Sequence, residues 1–278
     1  MTSQILDIVS TAAILFIVST GLLLVFGVMK IINFAHGALL TVGGYAGVIT
    51  TALGYNPWVA VAIAALFGGA LGLVIERFFV RPLYSRPLDA ILATWGLGII
   101  IGQLITLVFD RGVHFAEPPV TGVVSVLGES YSIYRLILIG VAILLGGCLT
   151  LLMQGTRLGL STRAVIMNED LARGLGINSG LVRFLTFTLG SALAAAAGAL
   201  ITPLASVDPN MGVPWLMNAF MLVLVSGSAL GSLAAASIVL GGAQVLVSSY
   251  VSPVLGGLTI AVLAAVILRI RPEGFSRD

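Results

Sequence analysis

Charge is what this chain has least of. Of its 278 residues, 9% are charged and 59% hydrophobic, with a mean hydropathy of +1.14. That balance excludes an ordinary soluble globular domain. The only lysine is Lys30, in Gly27-Val28-Met29-Lys30-Ile31, which is no phosphate-cradling loop, so ATP hydrolysis through a P-loop is excluded. A single cysteine, Cys148, excludes an internal disulfide and a tetrahedral thiolate metal site. Lying within an apolar run, it reads as a small packing residue. The two histidines, His36 and His114, fall in different regions, which leaves no metal cluster. His36 is the one histidine at membrane depth, and no Gly-x-Ser-Gly turn accompanies it, so an intramembrane hydrolase lacks its nucleophile–base pair. There is no basic run with interleaved aromatics, hence no nucleic-acid partner.

Long apolar runs fill the rest. Lipid offers no partners to unpaired backbone groups, so each crossing needs about 20 apolar residues in a helix. Candidate crossings lie near 5–29, 31–53, 57–79, 90–109, 133–153, 184–203, 214–230, 232–250 and 254–270. The last three are short and closely joined, so one of them is a candidate re-entrant segment. The fold class is therefore an all-α polytopic membrane protein, a bundle of 8–10 transmembrane helices forming a single domain over 1–278. The first run lacks a basic flank and a small-residue cleavage site, which predicts a retained helix. With nine crossings and the amino terminus outside, eleven basic residues fall at cytoplasmic ends: Lys30, Arg77, Arg81, Arg86, Arg157, Arg163, Arg173, Arg183, Arg269, Arg271 and Arg277. Only Arg111 and Arg135 fall outside, an asymmetry that places the carboxy terminus in the cytoplasm. The loop 110–132, with His114, Glu117 and Glu129, then faces outward.

One polar island, Gln154–Arg183, interrupts the apolar pattern and falls on the cytoplasmic side. Asn168 is placed to cap a short helix, since its side-chain oxygen can accept first-turn N–H groups. Glu169 and Asp170 would sit at the positive end of that helix, Leu171 and Leu175 on one face, and Gly176 at its stop. The expectation is a stub of about nine residues, roughly 13 Å long, presenting an apolar knob.

Polar groups at membrane depth mark either a solute path or a helix-pinning hydrogen bond. Asn33 and His36, three apart, carry both readings, as do Asn218 and Ser226; Ser226 can also bond within its own helix. Thr94-Trp95 lies near a predicted membrane end, where Trp95 serves an interfacial belt or stacks on solute. Glu76-Arg77 and Arg81 read as a solvated cluster closing the third crossing. Asp110, Arg111, Glu117 and Asp208 are outer rim charges that could dock a soluble partner. Glycine is abundant, 34 residues, and much of it lies inside apolar runs such as Gly43-Gly44 and Gly68-Gly69, which favours close helix packing. No repeat relating the two halves is visible in the residues.

Several segments together resemble the permeases of ABC importers for branched-chain amino acids, urea and short amides. They are Ile32-Asn33-Phe34-Ala35-His36-Gly37, Glu76-Arg77 with Arg81-Pro82-Leu83, Ala93-Thr94-Trp95-Gly96-Leu97, Arg163-Ala164, Glu169-Asp170-Leu171-Ala172 with Leu175-Gly176-Ile177-Asn178, Ala229-Leu230-Gly231-Ser232, and Arg271-Pro272-Glu273-Gly274-Phe275. The resemblance implies alternating-access import across a bacterial inner membrane, with the island as a short cytoplasmic coupling helix for an ATPase. Arg163, Glu169, Asp170, Leu171, Ala172, Leu175 and Gly176 would carry that coupling. Asn33, His36, Thr94, Trp95, Asn218 and Ser226 would be the substrate-pathway candidates. The implied partners are two ATP-binding subunits, which would bind ATP and Mg, a second and different permease subunit, a periplasmic solute-binding protein and membrane lipid. This chain itself would hold no cofactor and would not be an enzyme. Leu83-Tyr84-Ser85-Arg86-Pro87-Leu88 followed by Leu92-Ala93-Thr94-Trp95-Gly96 leans toward the urea and short-amide branch. Ser226-Gly227-Ser228 departs from the expected glycine pair. The competing expectation is a passive channel or ion-coupled carrier without partners. Ion coupling would call for a mid-crossing carboxylate, and Asp7, near an end, is the nearest to one.

Overall fold

The structure is a computed structural model and describes residues 2–126 and 128–275. Arg277, counted above among the cytoplasmic basic residues, lies outside them. The chain is a helix bundle with one small hairpin. Its helices are α1 (Thr2–Met29), α2 (Ala35–Ala52), α3 (Pro57–Ile75), α4 (Pro87–Phe109), α5 (Ile133–Gly155), α6 (Arg157–Met167), α7 (Glu169–Gly174), α8 (Ser179–Ile201), α9 (Gly212–Ser226), α10 (Leu230–Tyr250) and α11 (Pro253–Ile270). The hairpin strands, β1 (Val123–Val126) and β2 (Glu129–Ser132), pair antiparallel ahead of α5. Among the described residues, seven helical stretches are long and apolar enough to cross a membrane: α1, Pro57–Leu83, α4, α5, Ser179–Leu204, α10 and α11.

Long-range pairs fix the direction of each helix. Gln4 with Tyr250 and Asp7 with Arg135 set the start of α1, the start of α5 and the end of α10 at one face. Phe275 N–H donating to the Val225 carbonyl at 2.7 Å, and Arg183 paired with Glu169, gather the other ends at a second face, called here the island face.

The remaining two apolar helices do not cross. After Met29 the chain breaks at Lys30, which takes a left-handed φ of 53°, and turns back into the bundle. His36, at the start of α2, then meets the carbonyl of Val18, a residue near the middle of α1, at 3.0 Å. Thus α2 starts at mid-depth and runs to the face opposite the island. In the same way α9 starts against α2, where Gly212 N–H donates to Thr41 Oγ1 at 3.1 Å, and runs toward the island face. The segment 31–53, expected as a complete crossing, is therefore a half-crossing with a re-entrant approach. Of the last three apolar runs, the one at 214–230 is re-entrant, as the short spacing anticipated.

These directions reveal the repeat that the residues conceal. Helices α1–α4 run inward, half-way, inward and back; α8–α11 follow the same plan upside down. The packing follows suit: α3 lies on α8 as α10 lies on α1, α2 on α8 as α9 on α1, and α2 touches α4 as α9 touches α11. The two halves cross at two self-paired contacts. A Cβ placed on Gly190 would stand 2.7 Å from the Gly21 carbonyl oxygen, and one on Gly21 would overlap Gly190 in turn. Gly37 and Gly212 stand in the same mutual relation between α2 and α9. Backbones approach this closely only where side chains are missing. An inverted repeat accounts for the arrangement; it escapes a reading of residues because what is preserved is the placement of breaks and glycines.

Candidate functional site

The island folds into two helices where one stub was expected. Thr156 caps α6 by accepting from Gly159 N–H at 3.0 Å, and Asn168 caps α7 by accepting from Leu171 N–H at 2.9 Å. Asn168 has extended backbone, φ −157°, and that single residue separates the two. Its capping role and the stop at Gly176, φ +85°, are as anticipated. Glu169 and Asp170 occupy the first turn of α7, where the helix end favours negative charge. Ala172 is buried against the bundle, while Leu171 and Leu175 are 62% and 74% exposed. Two leucines so exposed, one on a six-residue helix and one just past its end, cannot be stabilising it by burial.

A polar clasp fastens this lever to the bundle. Arg183, in the first turns of α8, pairs with Glu169 of α7, and its guanidinium carbon lies 4.6 Å over the ring of Tyr84. The Tyr84 hydroxyl donates to Glu76 Oε1. Glu76 opens the π-helical turn Glu76–Val80 at the end of α3 and is fully buried. The expected solvated cluster is thus corrected at Glu76: Tyr84 supplies a donor to one carboxyl oxygen, while Oε2 is buried with no partner among the described residues, and a buried polar group is costly unless it is bonded. Arg77 and Arg81 do remain exposed. Burial first, and the bond to Glu76 second, push the Tyr84 hydroxyl well above its ordinary range, so Tyr84 stays a proton donor. Arg81, Tyr84, Asp170, Arg173, Asn178 and Arg183 border an open cavity of about 700 Å3 beside the clasp.

The pathway candidates separate into groups. Asn33, His36 and Thr94 come together at the broken start of α2. Asn33 Oδ1 accepts from Ala35 N–H at 3.1 Å and Thr94 Oγ1 accepts from Phe34 N–H at 3.2 Å. These two bonds take N–H groups at the interior helix end, whose cap residue Phe34 makes no side-chain bond of its own, while the His36–Val18 contact ties that end to α1. Asn218, on α9, lines a cavity of about 400 Å3 with Thr11, Arg135, Trp215 and Gln244, toward the face opposite the island. Ser226 is buried and bonds the Val223 carbonyl of its own helix. Trp95 stands apart, 57% exposed on the outer side of α4. Cys148, expected to be packed, is exposed on α5, a helix largely uncovered by the rest of the chain.

Residue-by-residue reading passed over Tyr84, Arg183 and the four crossing glycines. An acid and a tyrosine eight residues apart at the end of an apolar run were the available signal for the clasp. Gly274, with φ +65°, lets the tail fold onto the end of α9, where Phe275 caps an otherwise unpaired carbonyl. Among the described residues, no group of three or more His, Cys, Asp or Glu side chains could hold a metal ion.

A multi-pass bundle with two interior half-helices and a lever outside it has the build of a membrane transport permease. Residues 4–270 match the family described as branched-chain amino acid transport system / permease component, and the chain belongs to that family. It is 29% identical to the high-affinity branched-chain amino acid transport system permease protein LivH of Salmonella typhimurium, over 93% of this chain and 89% of that protein. To the corresponding protein BraD of Pseudomonas aeruginosa it is 30% identical, over 89% of this chain and 88% of that one. Among solved structures, PsaBC from Streptococcus pneumoniae in complex with Fab matches with a TM-score of 0.49 and 16% identity, covering 96% of this chain and 91% of that chain. These relatives give the lean toward urea and short amides no support.

Proposed function

We propose that this chain is one permease subunit of an ATP-driven importer for branched-chain amino acids in a bacterial inner membrane. The island face is cytoplasmic and meets two separately encoded ATP-binding subunits, which carry the ATP and Mg. A second, different permease completes the membrane part, and a periplasmic solute-binding protein delivers solute to the opposite face, where Asp110, Arg111, Glu117 and Asp208 offer rim charges. The observation that carries this reading is the lever: Leu171 and Leu175 project from a capped helix whose base is tied to α3 and α8 through Glu169, Arg183, Tyr84 and Glu76. Arg163 and the Glu169–Gly176 turn supply the rest of the coupling surface.

Mechanistically, a displacement of α7 is transmitted to α8 through the clasp. Helix α8 crosses α1 backbone to backbone at Gly190 and Gly21, so a shift there moves both halves of the inverted repeat. Asn33, His36 and Thr94 hold the α2 break that such a motion would bend, and Asn218 meets the solute on the opposite side. Trp95 serves the contact with the second permease, and Ser226 the end of α9. ATP and loaded binding protein drive the cycle only by favouring different states of the bundle.

Reconstitution in liposomes tests the reading. Leucine uptake is expected with ATP and all partner subunits and absent when the ATP-binding subunits are omitted. Leu171→Asp should abolish uptake while the purified chain keeps its helical content. Equal leucine flux without the ATP-binding subunits would make the chain a channel or carrier. Uptake of urea or acetamide in place of leucine would overturn the substrate assignment.

A further inference from the structure

A second cavity on the island face shares only Arg163 with the coupling scheme. It encloses about 470 Å3 between α1, α5, α6 and the start of α10. Leu23, Leu24, Leu149 and Met153 form its apolar floor, and its polar rim includes Thr162, Arg163 and the first turn of α10. Among the described residues, no carboxylate lines it.

Three features of the rim point to an anion. Thr162 is 1% exposed, yet its hydroxyl has no hydrogen-bond partner among the described residues. Elsewhere in the bundle Thr150, Thr186 and Thr259 give their hydroxyl protons to the carbonyl four residues back; Thr162 does not, and it lines the cavity. Helix α10 is 21 residues long and opens at Ala229, a cap residue without a side-chain oxygen, so its first N–H groups and the positive end of its dipole face the same space. Arg163 enters none of the ion pairs found among the described residues.

An anion-selective rim above a leucine floor, beside the uncovered helix α5, fits a molecule with a phosphate at one end and hydrocarbon at the other. We propose that this cavity binds the phosphodiester headgroup of an anionic phospholipid, with Arg163, the Thr162 hydroxyl and the α10 amino terminus on the phosphate and an acyl chain along Leu23 and Leu24. Basic pockets between helices at a membrane interface recognise headgroups on this principle. The lipid would bridge α6, next to the lever, to α10 of the second repeat.

The test uses the full chain in a non-ionic detergent, titrated with fluorescent phosphatidylglycerol in mixed micelles, with phosphatidylcholine and inorganic phosphate as comparators. Phosphatidylglycerol should bind in preference to phosphatidylcholine. Arg163→Gln should raise its Kd about fivefold or more, and Thr162→Val, close to isosteric and kind to the fold, should raise it by a smaller factor. Arg157→Gln, a neighbouring charge outside the cavity, should leave it unchanged. Equal binding of both lipids overturns the proposal, as does equal weakening by Arg157→Gln, which would mean diffuse surface charge. Inorganic phosphate displacing nothing supports the lipid; phosphate binding that is lost in Arg163→Gln while phosphatidylglycerol fails to bind would make this a free-anion site instead. No ATPase partner is needed, so failure here is separable from failure of the importer reading.

Discussion

At the centre of the bundle α1 and α8 meet backbone to backbone through Gly21 and Gly190, whereas at the island face α7 and α8 meet through long side chains, Glu169 and Arg183. The first contact tolerates no added atom. The second is a chain of charge-assisted bonds that can lengthen, reorient or admit water. A transporter needs both, a pivot that keeps its geometry and a linkage that yields to an outside push. The pivot is made from what the residues omit and the linkage from what they carry, which is why substitutions at the two places should fail differently.

The sharpest contrast concerns the glycine crossings, the pivot and its counterpart between α2 and α9. Gly212→Val would drive a side chain into the Gly37 backbone carbonyl and against Thr41 Oγ1, at a cost of about 3 kcal/mol. The measurement is thermal unfolding in detergent, where the variant should melt well below the parent or fail to accumulate. Gly140→Ala, on the open side of α5 with nothing within 4 Å, should instead leave stability unchanged or raise it by up to about 1 kcal/mol. Similar melting of the two variants would erase the distinction between glycine as pivot and glycine as filler.

A smaller loss is expected at the linkage. Tyr84→Phe removes the donor to buried Glu76 and should cost about 2 kcal/mol. Its diagnostic effect is functional: ATP hydrolysis by the assembled complex should persist while leucine uptake per ATP falls, because lever and bundle come apart. Uptake falling strictly in step with hydrolysis would assign Tyr84 to stability alone. The smallest effect on folding should come from Leu171→Asp, within about 0.5 kcal/mol of the parent because the side chain is exposed. Loss of co-purification with the ATP-binding subunits is the expected readout.

Much of this was legible in the residues. Hydropathy located every long helix, because a crossing must be apolar along its whole length. Asn168 and Gly176 marked the lever because caps and stops are local chemistry. The half-crossing of α2 was not legible: residues 31–53 are apolar enough for membrane depth whether they pass through it or begin within it, and only the bonds of Asn33, His36 and Thr94 distinguish the two. Glu76 was misread for a related reason. Its sequence neighbours are an arginine and a membrane end, while the tyrosine that bonds one of its oxygens approaches through the π-turn. The repeat was hidden because close packing of backbones constrains single positions, Gly21 and Gly37 in one half and Gly190 and Gly212 in the other, and leaves the residues between them free to diverge.

Helix α5 gains meaning from that symmetry. Among the described residues it is the only complete passage between the two halves, and just 17% of its most apolar 18-residue stretch is buried. Its contribution is parity: one odd traverse means that a module threaded one way is followed by its twin threaded the other. Excise α5 and the second module would enter the bilayer with the same polarity as the first, two left hands with no way to clasp.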